Sequence, residues 1–336
     1  MPELIIKSMI VLFGCLIGSF LNVCIYRMPR SGKVVPDEFL SISGSKEHTD
    51  KLWEDLIKSG YIDEDGYVER KFKKLRKNQQ FSGFELEGKY ENSKTRIFKI
   101  LDKSCELSID KPKRSFCPNC QKQVVWYDNI PLLSYLFLGG KCRFCQKPIS
   151  FRYFMVEFIT AGLLVVLYSF FGLSVQFFVY GVLTCALIIS TFIDFDFFII
   201  PDEITLGGLL IGIVLSVIFP QLHGVSTWSG SLIQSGLGIL AGGGSIYLIG
   251  RFGEIIFKKE SMGGGDVKFL AMIGSILGWQ MALLIFFLAP FFGAGVGIVA
   301  KLTKGAEIIP YGPYLSLATF LVLLWGNNIL KYLFYF

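Results

Sequence analysis

Long uncharged apolar runs, separated by short polar turns, fill the chain from residue 152 to its end, and one more run opens it. Their lengths suit bilayer crossing, because about 20 apolar residues in a helix span a hydrocarbon layer of ~30 Å. The pattern predicts about eight transmembrane helices, near 4–26, 152–172, 174–193, 204–220, 231–250, 266–280, 282–300 and 313–333. The expected fold class is an all-α polytopic membrane protein. A polar segment separates the first run from the second. The chain thus divides into a first span (1–26), a loop (27–151) and a membrane-embedded part of about seven helices (152–336). The opening run resembles a signal peptide but lacks a small-residue cleavage site. Arg27-Met-Pro-Arg30 follows instead, so it reads as a retained span.

Charge sharpens this picture. Of the 33 Lys and Arg, 25 fall between Arg27 and Arg152, with 17 of the 27 Asp and Glu. The net charge of +6 is modest and no basic stripe is present, so nucleic acid is not an expected partner. Basic residues in short connections collect on the cytoplasmic side of a membrane. Arg251, Lys258, Lys259, Lys268, Lys301 and Lys304 then share the side of the large loop, while Pro220–Gly230 carries no Lys or Arg. The loop is expected in the cytoplasm and both termini outside. Asp194 and Asp266 then fall at the cytoplasmic ends of their spans, seventy-two residues apart but on one side.

Glycines recur at four-residue spacing within the spans, at Gly208/Gly212, Gly238/Gly242, Gly274/Gly278 and Gly293/Gly297. Small residues at this interval permit close helix packing. The insertion 37–110 is charged and poor in apolar runs, with amphipathic stretches at 48–58 and 67–77. It reads as a small helical insertion or a partly disordered one, and carries no evident chemistry.

Cys117-Pro-Asn-Cys120 and Cys142-Arg-Phe-Cys145 form two C-x2-C pairs with twenty-one residues between them, within the stretch 115–150. Two such knuckles can close a tetrahedral site of four thiolates, which leaves no open position for catalysis. A structural zinc in a ribbon-like loop is the expected occupant, and a rubredoxin-like iron the alternative. A cytoplasmic location disfavours disulfides here. Cys15, Cys24 and Cys185 sit in apolar runs as small fillers, and Cys105 has no partner at ligand spacing.

Among the acids, Asp194 closes an apolar run that begins at Phe158, and Asp266 follows Gly263-Gly-Gly265. Ionisable groups at membrane depth are costly and mark ion, proton or substrate paths. An Asp at a span end is more often a cap, and Asp202, after Pro201, fits the N-cap of the fourth span. Asp266 also has the sequence of an N-cap. Brought together, however, Asp194 and Asp266 would share one proton, because neighbouring like charges cannot both ionise cheaply. One acid and one carboxylate can polarise a peptide carbonyl and activate water. Glu157, near Arg152, reads as an interfacial ion pair or helix-end charge.

These motifs, in this order, resemble bacterial prepilin peptidases, the type IV leader peptidases. The resemblance runs through Gly18-Ser-Phe-Leu-Asn-Val-Cys-Ile-Tyr-Arg-Met-Pro29, Cys117 to Cys120, Asp128-Asn-Ile-Pro131, Gly140 to Cys145 and Ile149 to Tyr153. It continues through Ile193-Asp194, Pro201-Asp202 and Gly263-Gly-Gly-Asp266-Val-Lys268, the last similar to the GxGD signature of intramembrane aspartyl proteases. The resemblance implies a bifunctional membrane enzyme with Asp194 and Asp266 as the catalytic pair and Cys117, Cys120, Cys142 and Cys145 as metal ligands. It implies cleavage of the basic leader of prepilins or pseudopilins after Gly, at the cytoplasmic face of the bacterial inner membrane. It also implies methylation of the new N-terminal residue with S-adenosylmethionine. Asn22 and Arg27, in the opening motif, are candidates for leader or cofactor contacts. The insertion 37–110 exceeds what the family is expected to carry there.

Two other readings stand beside this one. The first is a peptidase without methyltransferase activity. The second is an ion-coupled transporter with a zinc docking module, which would place its acids near mid-span and show an inverted repeat.

Overall fold

A computed structural model describes residues 2–31, 45–64, 66, 68, 97, 100, 101, 108, 109, 114–117, 120, 122–258, 262–304 and 309–334. The described residues are helical, with three isolated antiparallel bridges and no strand. The chain forms two compact units. One holds Met1–Ile25, Tyr127–Lys141 and Pro148–Phe336, and the other holds Tyr26–Trp126 with Cys142–Lys147.

The first unit is a helical bundle. It contains α1 (Pro2–Arg27, whose last two residues belong to the other unit), α3 (Leu133–Phe137), α4 (Arg152–Phe171) and α5 (Val175–Phe197). It continues through α6 (Asp202–Ile218), α7 (Trp228–Phe257), α8 (Gly264–Leu277), α9 (Trp279–Lys304) and α10 (Gly312–Phe334). Eight of these coincide with the predicted runs, and six are long and apolar enough to cross a membrane. The two exceptions are α6, with 17 residues, and α8, with 14. At 1.5 Å per residue they reach about 26 and 21 Å, so α6 lies at the lower limit for a span and α8 falls below it. The correction is physical: the apolarity of α8 faces protein rather than lipid. Every residue from Phe269 to Ile276 is buried, and α7, α6, α9 and α10 pack around it.

Glycine sets how closely these helices approach. A Cβ on Gly238 of α7 would fall on the carbonyl of Gly274 of α8, and the reverse also holds. Gly242 meets the Leu270 carbonyl in the same manner, at 2.5 Å for a built Cβ. With no interhelical hydrophobic drive in lipid, such backbone contact is what packs membrane helices. A second ladder escaped the sequence pattern. Gly14 backs onto Ala161, Gly18 onto Glu157, and the Asn22 amide donates to the Tyr153 carbonyl at 2.9 Å. The rising and falling numbers make α1 and α4 antiparallel neighbours at an interval of four residues.

The other unit contains α2 (Lys46–Lys58), started by Ser45, whose hydroxyl accepts from the His48 amide. Its apolar face sets Leu52 and Leu56 against Tyr61, Ile62, Val68, Ile97 and Leu101, all fully buried. The first amphipathic stretch of the insertion is thus a packed helix. The second, apart from Val68, lies outside the described residues, as does Cys105.

Overpacking at the α7–α8 contact should cost more than an ordinary surface change. Gly274→Val is expected to lower stability by roughly 1–3 kcal/mol or to prevent assembly. Gly236→Ala, on α7 with open space around it, should be neutral or slightly stabilising. Thermal unfolding of both variants in detergent, read against wild type, checks the contrast.

Candidate active site and metal centre

Helix α5 ends where its backbone turns left-handed at Phe198 (φ 55°), whose amide donates to the Asp194 carbonyl at 3.0 Å. Such a conformation costs a side-chain-bearing residue about 1–2 kcal/mol. The chain then runs through Ile199-Ile200, and Pro201 holds its predecessor extended. Asp194 therefore sits in the last turn of α5 and is only 5 % exposed. Its Oδ2 accepts a hydrogen bond from the Gly312 backbone amide at 2.9 Å, which opens α10. The N-terminus of a helix offers such unpaired amides and favours negative charge. A Cβ on Gly312 would lie 2.8 Å from that carboxylate oxygen. Only glycine lets the backbone come this close.

Asp266 lies in the first turn of α8. The N-cap is Gly263 and makes no side-chain cap bond, so the expectation that Asp266 would cap the helix is corrected. Gly265, just before it, packs on Ile200 (3.4 Å from a built Cβ), and Ile200 also faces Gly312 at 3.3 Å. One buried isoleucine thus touches the glycine beside Asp266 and the glycine bonded to Asp194. The Asp194 charge reaches Asp266, and that of Asp266 reaches Tyr311. The Tyr311 hydroxyl is buried with no hydrogen-bond partner among the described residues. Burial, with the Asp266 charge adding to it, pushes this phenol up to about 12, so it stays a neutral donor.

The neighbouring acids are used otherwise. Asp196 is ion-paired with Arg152. Asp202 is ion-paired with Lys268 at 2.7 Å. Asp202 is also not the N-cap of α6: Pro201 occupies that position, and Asp202 stands in the first turn, where its charge suits the helix dipole. These bridges place the start of α4 beside the end of α5, and the start of α6 beside the start of α8. Among the described residues, Asp194 and Asp266 have no cationic partner. Glu157 departs from the ion-pair expectation as well: its Oε2 accepts from the Leu132 amide at 2.7 Å, while Arg152 is engaged by Asp196.

Gly312 and Tyr311 were not found by sequence reasoning. The available signal was Pro310-Tyr-Gly-Pro313, a turn set directly before the last apolar run.

In the other unit, Cys117, Cys120, Cys142 and Cys145 bring their sulfurs within 4.8 Å of one another. The Cys117 and Cys145 sulfurs are 3.8 Å apart. A tetrahedron of metal–sulfur bonds near 2.3 Å requires edges of about 3.8 Å, so the four thiols fit a metal ion. The knuckles are shaped by local backbone bonds, Cys117 amide to Lys122 carbonyl at 3.0 Å and Cys142 amide to Lys147 carbonyl at 2.9 Å. Amides of Cys145 and Phe144 point at the Cys142 sulfur and draw its thiol down to about 7, favouring the thiolate that a metal binds.

Fold and site together define a polytopic helical membrane protein with two unpaired acids at one end of its bundle and a separate four-thiol loop. The profile for the bacterial peptidase A24 N-terminal domain matches residues 12–171, and that for the type IV leader peptidase family matches residues 181–298. A prepilin leader peptidase/N-methyltransferase of Aeromonas hydrophila is 30% identical over 332 residues, covering 97% of this chain and 92% of the relative. Proteins of the same description from Pseudomonas aeruginosa and Myxococcus xanthus are 36% and 37% identical. The former match covers 65% of this chain and 73% of the relative, the latter 60% and 57%. No solved structure matches. The chain belongs to the type IV leader peptidase family.

The thiol geometry gives its own test. Purified protein should take up one Co2+ per chain and develop intense thiolate charge-transfer absorption. Cys142→Ser should lose those bands and weaken metal binding by at least tenfold in a chelator competition.

Proposed function

We propose that this protein is a prepilin or pseudopilin leader peptidase and N-methyltransferase of the bacterial inner membrane, working at the cytoplasmic face. The observation that supports the reading is the placement of Asp194 and Asp266 at helix ends, with no cationic partner among the described residues. The Asp194 charge reaches Asp266, and the adjacent acids are neutralised by Arg152 and Lys268. The relatives' names support both activities. The clustering of 25 of the 33 basic residues in 27–152 supports the orientation.

In the peptidase step Asp194 and Asp266 hold one proton between them. The ionised member takes a proton from water as it attacks the carbonyl after the leader's glycine. The protonated member donates a hydrogen bond to the carbonyl oxygen, and the Gly312 amide steadies Asp194 throughout. Collapse of the tetrahedral intermediate breaks the C–N bond and delivers a proton to the leaving amine. No covalent enzyme intermediate is required. The basic leader stays in the aqueous layer, and the apolar pilin segment enters among the helices.

The four thiolates carry a structural zinc, which closes the Cys117–Cys145 loop and takes no part in peptide cleavage. Methylation uses S-adenosylmethionine, whose sulfonium supplies an electrophilic methyl group. The described residues that fit this chemistry on the acceptor side are the buried Asn22 and Glu157.

Asp194→Asn or Asp266→Asn should lower cleavage of a purified prepilin by at least about 10³-fold with folding retained, as expected for a unit in which each acid is indispensable. Gly312→Ala should reduce cleavage roughly 10–100-fold by pushing on the Asp194 carboxylate. Gel-shift assays of the processed pilin check these values. Processing by Asp266→Asn at the wild-type rate would refute the pairing. Mass spectrometry should find one added methyl per processed chain only when S-adenosylmethionine is present.

A further inference from the structure

Glu157 is a carboxylate buried to 9 % exposure in a span, and the peptidase step does not use it. Its surroundings are polar and specific. The Leu132 amide donates to Oε2 at 2.7 Å, and the Ser19 hydroxyl lies within hydrogen-bonding reach of the same carboxylate. Leu132, which presents that amide, has a positive φ of 59°. One turn along α1 from Gly18, which backs onto Glu157, stands Asn22, 4 % exposed. Its amide nitrogen is committed to the Tyr153 carbonyl, while its Oδ1 is buried and without a hydrogen-bond partner. The α1–α4 ladder therefore sets a carboxylate and an unused carbonyl oxygen on adjoining turns. Both are acceptors. No Lys or Arg is paired with Glu157 among the described residues.

Neutral donors already reach Glu157, but it has no counter-charge among the described residues, and Asn22 Oδ1 has no donor. A cationic donor would complete this combination, because a buried unpaired acceptor or uncompensated charge is costly. A primary ammonium supplies up to three N–H donors and one positive charge. Position narrows the source. Arg152, at the start of α4, is bridged to Asp196, two residues beyond Asp194. Glu157 lies five residues further into α4, about 7.5 Å along the axis. It therefore belongs to the same end of the bundle as the acid pair that would release a new N-terminus.

We propose that Glu157 and Asn22 form the seat for the α-ammonium of the cleaved pilin, the group to be methylated. The inference rests on the methyltransferase part of the proposed function. In the transfer, the ammonium gives one proton to the Glu157 carboxylate, and Asn22 Oδ1 orients a remaining N–H. The nitrogen lone pair then forms an N–C bond to the methyl carbon of the sulfonium donor. The C–S bond breaks with its electron pair going to sulfur, leaving a thioether and a methylated ammonium. Glutamine at 157 could still accept from Leu132 but could neither take the proton nor balance the charge.

Binding tests the seat without the methyl donor. A fluorescent pilin-type peptide with a free N-terminal Phe is titrated into full-length protein in detergent, beside its N-acetylated twin. The free amine should bind at least tenfold tighter to wild type, and Glu157→Gln should erase that difference. Equal affinity of the two peptides for wild type overturns the proposal. So does a preference that survives in Glu157→Gln, and so does a lysine-rich leader peptide that depends on Glu157 as strongly. In a turnover assay, Glu157→Gln should lower the methylated fraction of cleaved chains about tenfold or more, and an unchanged fraction refutes the seat. If wild-type protein cleaves but never methylates, the methyltransferase reading fails while the peptide titration still decides whether an ammonium binds here.

Discussion

Backbone contact between α7 and α8, at Gly238 and Gly274, is the constraint on which the rest of the bundle depends. It permits a 14-residue helix, too short to cross the bilayer, to be enclosed by α6, α7, α9 and α10. The burial begins at Phe269, so the first turn of α8 stands at the end of the bundle, and Asp266, partly buried, occupies that turn. The Ile200 side chain lies beside both Gly265, which precedes Asp266, and Gly312, whose amide bonds Asp194.

Electrostatics sorts the acids at this end. Asp196 and Asp202 face Arg152 and Lys268 in half-exposed bridges, which add little stability but neutralise charge beside the site. Asp194 receives instead a neutral amide from Gly312. An amide can hold a carboxylate in place without a full counter-charge that would lock it ionised. The distinction between Asp194 and Asp196, two residues apart, thus comes from what each faces across the bundle.

The four-thiol loop obeys different rules. Its ligands come from two tight turns whose shape is fixed by bonds within a few residues, such as Cys142 to Lys147. Sulfur positions there depend little on distant packing, so a metal can organise a polar segment whose core, among the described residues, is the small cluster around Leu52 and Leu56.

Local patterns determined much of this protein. Apolar runs placed eight helices, six of them long enough to cross a membrane, because a helix satisfies its backbone within its own segment. The C-x2-C spacing located the metal loop for the same reason, since each knuckle is a local turn. Tertiary structure decided the remainder. Which helices enclose α8 depends on the neighbours it meets, and its fourteen residues do not name them. The Gly312 amide reaches Asp194 across 118 residues, and the Leu132 amide reaches Glu157 across 25. Such bonds form only after helices have packed, so polar residues that sequence reads as caps or surface charges acquire other partners at the end of folding.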